Sequence, residues 1–385
     1  MRRGWSSNHL VFISLFSCKM SLSSPNQFGN PSWAERATAI ASLLLHMPLV
    51  LIWTLLTSPF HPVNAYKSWK RVLADKLFHF FTKHLNAAQM QWILGDTYQV
   101  YTAWMKGKGL SPVIDDLGEN TRLFWIGKRR TDRVILYFHG GAFLIPMPFF
   151  FADFWEHTLT QLQHRGVDAG LAVLNYTLVP SAAFPTQLRQ AVRALDYLIS
   201  TGVRPENIQI TGDSAGANLA LQFMSHLLHP LNGIPKIRLS SPIRGAYLMS
   251  PWVSLSGEGG SLVSENDNDV VGTKCLAAWG RQVLAGIPDS QRPYIEAIKA
   301  SKPWFSNLKT VVDRVLITAG DAECLRDEIV IVADRICRDH EGAQLVMHKR
   351  GVHDDPYFDF LTREAKVGEI TPIIWDWLAA GFKQS

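Results

Sequence analysis

The chain has 385 residues, 47% hydrophobic and 18% charged, a balance that excludes intrinsic disorder and leaves room for one large core with an accessory piece. Its net charge of +5 comes from dispersed Lys and Arg rather than a block of like charge, so no nucleic-acid footprint is visible. The four cysteines, Cys18, Cys275, Cys324 and Cys337, are scattered without CxxC or Cys/His spacing, which argues against a disulfide framework and a zinc site.

The N-terminus carries an arginine pair and a short apolar run at residues 11–18, with no small-residue cleavage site after it. Residues 38–57, TAIASLLLHMPLVLIWTLLT, are of the ~20-residue length that spans a bilayer core. Only His46 and Pro48 interrupt the run, and neither is prohibitive in a membrane helix. We read it as a membrane anchor, the alternative being a helix lying buried or interfacial over the catalytic part. Lys67, Lys70 and Arg71 outweigh Arg36, itself offset by Glu35. By the positive-inside rule the rest of the chain then faces the cytosol, as for a single-anchor protein of the endoplasmic reticulum.

A helical region rich in Phe, Trp and Leu follows, over residues 65–107. Beyond it, short runs rich in Val, Ile and Leu (134–138, 170–178, 207–211, 245–250, 314–318, 343–348) alternate with helix-like stretches such as PTQLRQAVRALDYLIS and GANLALQFMSHLLH. This alternation predicts an α/β fold, a mostly parallel central sheet with helices on both faces and an N-terminal helical cap. The division expected is an N-terminal segment at 1–60, a cap or lid at 61–125 and a catalytic domain at 126–385. In such sheets function sits at the carboxyl ends of strands.

Two motifs lie there. Gly212-Asp213-Ser214-Ala215-Gly216 follows a predicted strand and opens a helix, and fits G-x-S-x-G. In that turn the flanking residues must be tiny, the serine hydroxyl is lifted above the sheet, and the next N–H, of Ala215, is free to bind an oxyanion. Upstream, LYFHGGAFLIP ends another predicted strand. Its successive glycines, Gly140 and Gly141, let backbone N–H groups converge on one point. His139 is expected to organise that loop rather than to act as a base.

The pairing of HGGAF with GDSAG, and the intervening LNYTLVPSAAFPTQLRQAVRAL, resembles the hormone-sensitive-lipase-like branch of α/β-hydrolase carboxylesterases. The likeness covers about residues 120–380 and is nearest to the fungal esterase and steryl-acetyl-hydrolase-like members. It implies an oxyanion hole from Gly141 and Ala142, with Gly140 adjacent, together with Ala215. Ala142 stands where the family usually has a third glycine; its backbone donor survives provided φ is negative there, and its methyl narrows the pocket.

A serine of this kind needs a base and an orienting acid, delivered in the order Ser, Asp/Glu, His. Of the thirteen histidines, only His340, His348 and His353 follow the acid-rich stretch TAGDAECLRDEI. His348 ends an apolar run and reads as fixed at a strand end; His340, in RDHEG, reads as a surface residue. His353 lies in a loop past a strand end and also matches the family's base. Among the acids, Asp327 and Glu328 fall in the first turn of the next helix. Spacing alone leaves Asp321 and Glu323 open. The resemblance favours Glu323, because Glu323-Cys324-Leu325-Arg326-Asp327 fits the family's acid-x-Leu-x-Asp pattern, and Asp321 remains the alternative.

The resemblance implies a serine esterase acting on a lipophilic ester, such as an acetylated sterol, terpenoid or polyketide of the kind met in fungal secondary metabolism. No metal or organic cofactor is required. Alternatives on the same residues are an acyltransferase or lactonase and, further off, a ligand-binding receptor that has lost the chemistry. The aromatics of 146–155 are read singly as packing and together as part of a lid, and Trp252 as a candidate pocket wall.

Overall fold

The computed structural model describes residues 28–262 and 269–383; the arginine pair and the apolar run at 11–18 lie outside the described residues. Ser32 and Glu35 form a reciprocal capping box that starts helix α1 (Trp33–Ala41). A π-helical turn, Ser42–His46, leads into α2 (Met47–Thr57), and the whole helix runs from Trp33 to Phe60. Pro48 explains the π turn. It has no N–H, and its ring crowds the carbonyl four residues back, so widening the preceding turn lets the helix continue.

This helix has 28 residues, about 42 Å at 1.5 Å per residue. Only 6% of its most apolar window is buried, and Leu44, Leu45, Leu49, Trp53 and Leu56 are all exposed. By length and composition it can cross a membrane. A helix buried over the catalytic part does not match this exposure, and an interfacial helix is the alternative that remains beside an anchor.

The helical region expected at 65–107 is three helices, α3 (Trp69–His84), α4 (Ala87–Leu94) and α5 (Thr97–Gly107). Each starts at a side-chain cap, from Ser68, Asn86 and Asp96 respectively.

The sheet has eight strands in the order β1-β2-β4-β3-β5-β6-β7-β8. These are β1 (Ile114–Asp116), β2 (Arg122–Ile126), β3 (Val134–Phe138), β4 (Gly170–Asn175), β5 (Ile208–Asp213), β6 (Gly245–Met249), β7 (Val315–Gly320) and β8 (Ala343–His348). Strands β3 to β8 are mutually parallel, as the run pattern predicts, whereas β2 pairs antiparallel with both β1 and β4. The sheet thus begins at Ile114, and β1 and β2 are the strands the apolar-run reading missed. On one face lie α6 (Phe149–His164), α12 (Asp355–Thr362) and α13 (Ile370–Lys383). On the other lie α7 (Thr186–Ser200), α8 (Ala215–Leu228), α9 (Thr273–Val283), α10 (Arg292–Ile295) and α11 (Arg326–Asp339). The aromatics of α6 are packing: Phe151 stacks on Tyr357 at 3.8 Å, and Phe154 meets the same ring edge-on at 4.9 Å.

One buried cation ties α3 to this body. Arg71 donates to Asp75 on its own helix (2.6 Å) and to Asp355 and Asp359 on α12 (2.7 and 3.0 Å), and is only 6% exposed. Burial favours a neutral Asp355, but Arg71, His348 and the Val352 N–H outweigh it and hold that carboxyl below its usual value. Removing one partner of such a cluster leaves buried carboxylates uncompensated. Arg71→Ala is therefore expected to destabilise the fold by about 3–5 kcal/mol, read as a lower urea midpoint with an unchanged slope. An unaltered midpoint would mean that water reaches these carboxylates. Arg71 also loses its place in the positive-inside argument, since its charge is spent inside the fold.

Candidate active site

Ser214 is the single residue between β5 and α8. It has φ 50° and ψ −115°, a conformation L-residues avoid, held because the chain must reverse there within one residue. The close packing demands the flanking glycines. A Cβ on Gly212 would lie 2.4 Å from the Gly216 carbonyl carbon, and one on Gly216 would lie 1.9 Å from the Phe138 carbonyl oxygen at the end of β3. The serine N–H donates to the Met249 carbonyl (2.9 Å) and its carbonyl accepts from Trp252 (3.1 Å), which fixes the turn from the β6 side. Trp252 is wholly buried in that core rather than facing open space.

The same contacts press the glycine loop after β3 against the elbow. Gly140 backs directly onto Asp213, where an added Cβ would come within 3.0 Å of the Asp213 carbonyl oxygen. His139 is fully buried and lies face to face with Tyr176 at 4.5 Å. Its Nδ1 meets the Gly140 carbonyl at 2.7 Å and its Nε2 meets Thr97 Oγ1 at 3.2 Å. Burial pulls its pKa down to about 4, so the ring is neutral and holds the loop. The N–H groups of Leu144 and Ile145 both turn back to the Gly141 carbonyl (2.9 and 2.8 Å). That tight turn sets Ala142 and Phe143 at φ 56° and 61°. The condition of negative φ at Ala142 is not met. The alanine keeps its N–H but sits in left-handed backbone that costs roughly 1–2 kcal/mol. Gly141 and Ala142 donate to no backbone carbonyl among the described turns and loops, and Ala215, first in α8, has the orphan N–H of a helix start.

Beside the elbow, His353 Nε2 stands 2.9 Å from Ser214 Oγ. Burial alone depresses the His353 pKa to about 3, so the ring is neutral and able to accept a proton. On its far side, Nδ1 is 3.9 Å from Glu323 Oε2, an ion-pair distance without a hydrogen bond. Glu323 is almost completely buried; Oε2 accepts from Ser250 Oγ (2.6 Å) and the Gly320 N–H (3.2 Å), while Oε1 has no partner. Burial first, and then the negative charge of Asp269, push its pKa well up. Asp321 points elsewhere. It is exposed, and its Oδ1 accepts from the Arg350 N–H at 2.5 Å.

The other histidines separate cleanly. His348 ends β8 with Nδ1 3.7 Å from Asp355. His340 is buried rather than on the surface, because Nε2 meets the Val312 carbonyl (2.9 Å) and Nδ1 accepts from Gly342 (3.1 Å), closing the turn into β8. Asp213 is a loop clamp whose carboxylate accepts from the Tyr137 and Tyr357 hydroxyls at 2.5 and 3.1 Å.

Three residues at this centre escaped the motif reading. Ser250, at φ 43°, links the acid to the Asp354 N–H. Asp354 places Oδ2 3.4 Å from His353 Nε2. Asp269 accepts from the His353 N–H at 2.9 Å. Only Asp354 adjoins a motif residue in sequence; the other two carry no pattern. Ser214 and His353 are 6% and 4% exposed, so the pair lies beneath the surface.

Comparison with known proteins agrees with this architecture. A family model described as alpha/beta hydrolase fold, Abhydrolase_3, matches residues 135–355. An acetyl-hydrolase of Streptomyces hygroscopicus is 30% identical over 208 residues, covering 53% of this chain and 62% of that protein. Steryl acetyl hydrolase 1 of Saccharomyces cerevisiae is 25% identical over 252 residues, 60% of this chain and 55% of its own length. The chain thus spans somewhat over half the length of these relatives. Among solved structures, an esterase from the bacterial hormone-sensitive lipase family superposes with a TM-score of 0.63 at 20% identity, over 82% of this chain and 99% of that one. The family match takes in more than half of the chain, from the third strand to just past His353, and the protein belongs to the Abhydrolase_3 family of the alpha/beta hydrolase fold.

Proposed function

We propose that the protein is a serine carboxylic-ester hydrolase. The observation that carries this is Ser214 Oγ lying 2.9 Å from a neutral, buried imidazole at a strand-to-helix elbow. In this reading Ser214 Oγ attacks the ester carbonyl as His353 Nε2 takes its proton. The N–H groups of Ala215, Gly141 and Ala142 receive the oxyanion, and the imidazolium is stabilised by Glu323. Collapse releases the alcohol, which takes the proton from Nε2. Water, deprotonated by the same nitrogen, then attacks the acyl-enzyme and frees the acid and Ser214.

The substrate class proposed is a lipophilic ester, and within it an acetylated sterol, terpenoid or polyketide. Support comes from the two relatives named acetyl hydrolases and from the exposed apolar helix at the N-terminus. We place that helix in a bilayer as a single anchor, with the endoplasmic reticulum and a cytosolic catalytic part as the arrangement, and the helices α3, α4 and α5 within residues 61–125 as the cap, ahead of the sheet that begins at Ile114.

The test is covalent. Incubation of the detergent-solubilised full chain with a fluorophosphonate is expected to add one probe mass to the peptide containing Ser214, and p-nitrophenyl acetate to be turned over. An unlabelled, folded protein would indicate a binding role instead. Product analysis with an added acceptor alcohol separates hydrolysis from acyl transfer.

A further inference from the structure

Asp269 belongs to no motif, yet it holds the centre together. It is 2% exposed, and its carboxylate accepts three backbone N–H groups: Oδ1 from Val270 (2.7 Å) and His353 (2.9 Å), Oδ2 from Cys324 (2.8 Å). Val270 is its neighbour, but His353 is 84 residues away and Cys324 is 55 residues away. One of these donors is the proposed base itself, and the other directly follows the proposed acid. The link extends to the cap, where His79 Nδ1 on α3 lies 2.9 Å from the Asp269 carbonyl oxygen.

The need for such a link is visible in the geometry. No hydrogen bond joins Glu323 to His353 across their 3.9 Å. Their spacing is therefore set by what joins the two loops, one tie being Ser250 Oγ between Glu323 and the Asp354 N–H. Two backbone bonds, Asp321 N–H to the His348 carbonyl and Ala322 N–H to the Gly351 carbonyl (both 3.0 Å), join the loops just before the pair. Among the described residues, Asp269 alone bonds the backbones of residue 353 and residue 324 at once. A carboxylate buried in this way is costly, and three converging N–H donors offset part of that cost while burial still holds its pKa above the ordinary carboxylate value.

We propose that Asp269 is a positioning residue for the reaction, clamping the backbones of His353 and Cys324 so that imidazole and carboxylate keep their working separation. This rests on the reading that Ser214, His353 and Glu323 carry ester hydrolysis. A clamp of this kind acts on the chemical step, where a misplacement of about 1 Å costs up to roughly 100-fold. Substrate affinity is left alone.

The experiment compares the full-length wild type, Asp269→Asn, Asp269→Ser and Ser214→Ala on p-nitrophenyl acetate, with thermal unfolding as the check on folding. Asn keeps the size of the side chain but replaces one acceptor oxygen by a donor NH2, and Ser is too short to reach either loop. Both are expected to lower kcat by about 10- to 100-fold with KM within about threefold, and to slow fluorophosphonate labelling of Ser214 by the same factor. A folded Asn or Ser variant with wild-type kcat overturns the proposal, as does a change confined to KM. If Asp269→Asn does not fold, the Ser variant decides by the same criteria. Wild-type turnover by Ser214→Ala would sink the esterase reading instead, and that outcome is separate from either result at Asp269.

Discussion

Ser214→Ala is expected to lower kcat for ester hydrolysis by about a million-fold, to the residual rate of an oxyanion site without a nucleophile. The reason is that Oγ lies 2.9 Å from the His353 ring, at the turn between β5 and α8. Removing it leaves the N–H groups of Gly141, Ala142 and Ala215 intact, so the variant still folds and binds, and KM changes little. His353→Ala should cost about as much, and the double variant no more than either single one, because nucleophile and base act as a unit. Steady-state kinetics on p-nitrophenyl acetate measures all three. Equal rates for wild type and Ser214→Ala would dismantle the mechanism.

The second large effect is expected at the acid. Glu323→Gln removes the charge that stabilises the imidazolium while keeping its size, and kcat should fall by about 1,000- to 10,000-fold. Asp321→Asn should leave kcat within about threefold, because that carboxylate is exposed and serves Arg350 rather than His353. The pH profile separates the roles further. Burial lowers the His353 pKa to about 3, so the ring stands neutral as a proton acceptor. Glu323 must be ionised to work, and burial, the charge of Asp269 and, to a smaller extent, that of Asp355 raise its pKa, against the opposing bonds from Ser250 and Gly320. Activity should therefore rise with pH through a value above the ordinary carboxylate range, and that limb should vanish in Glu323→Gln. A loss at Asp321 with none at Glu323 would move the assignment by two residues.

Much of this architecture is written locally. The parallel strands are dominated by apolar residues, because a strand buried on both faces favours them, although β5 buries Gln209 and Asp213 and the edge strand β8 is half-exposed. The six runs seen in the sequence therefore became six strands, with β3 and β8 matching to the residue. The antiparallel pair β1 and β2 was missed. β1 is a three-residue half-exposed edge, and β2, only five residues long, falls inside the span assigned to the cap although Gly109, Pro112 and Gly118 separate it from the helices. Within 65–107 the apolar pattern runs on across three helices, and the breaks lie in the caps at Asn86 and Asp96 rather than in hydrophobicity.

At the centre the division is sharper. The elbow is legible because steric demand acts between neighbours: Gly212 and Gly216 must be small wherever a serine stands on such a turn. The left-handed backbone at Ala142 is different, since it is imposed by a turn closing on the Gly141 carbonyl, and residue identity argued the other way. The choice between Glu323 and Asp321 was likewise undecidable from spacing; their side chains leave one loop in opposite directions, one into the core and one to solvent. Local chemistry alone dictates the alternation of strands and helices and the two glycine-bearing turns, all products of short-range sterics and burial. Only the folded chain shows that Glu323 rather than Asp321 faces His353, that Ser250 and Asp269 join their two loops, and that Arg71 ties α3 to α12. Those contacts join segments tens to hundreds of residues apart, and no local pattern records a partner that folding alone brings near.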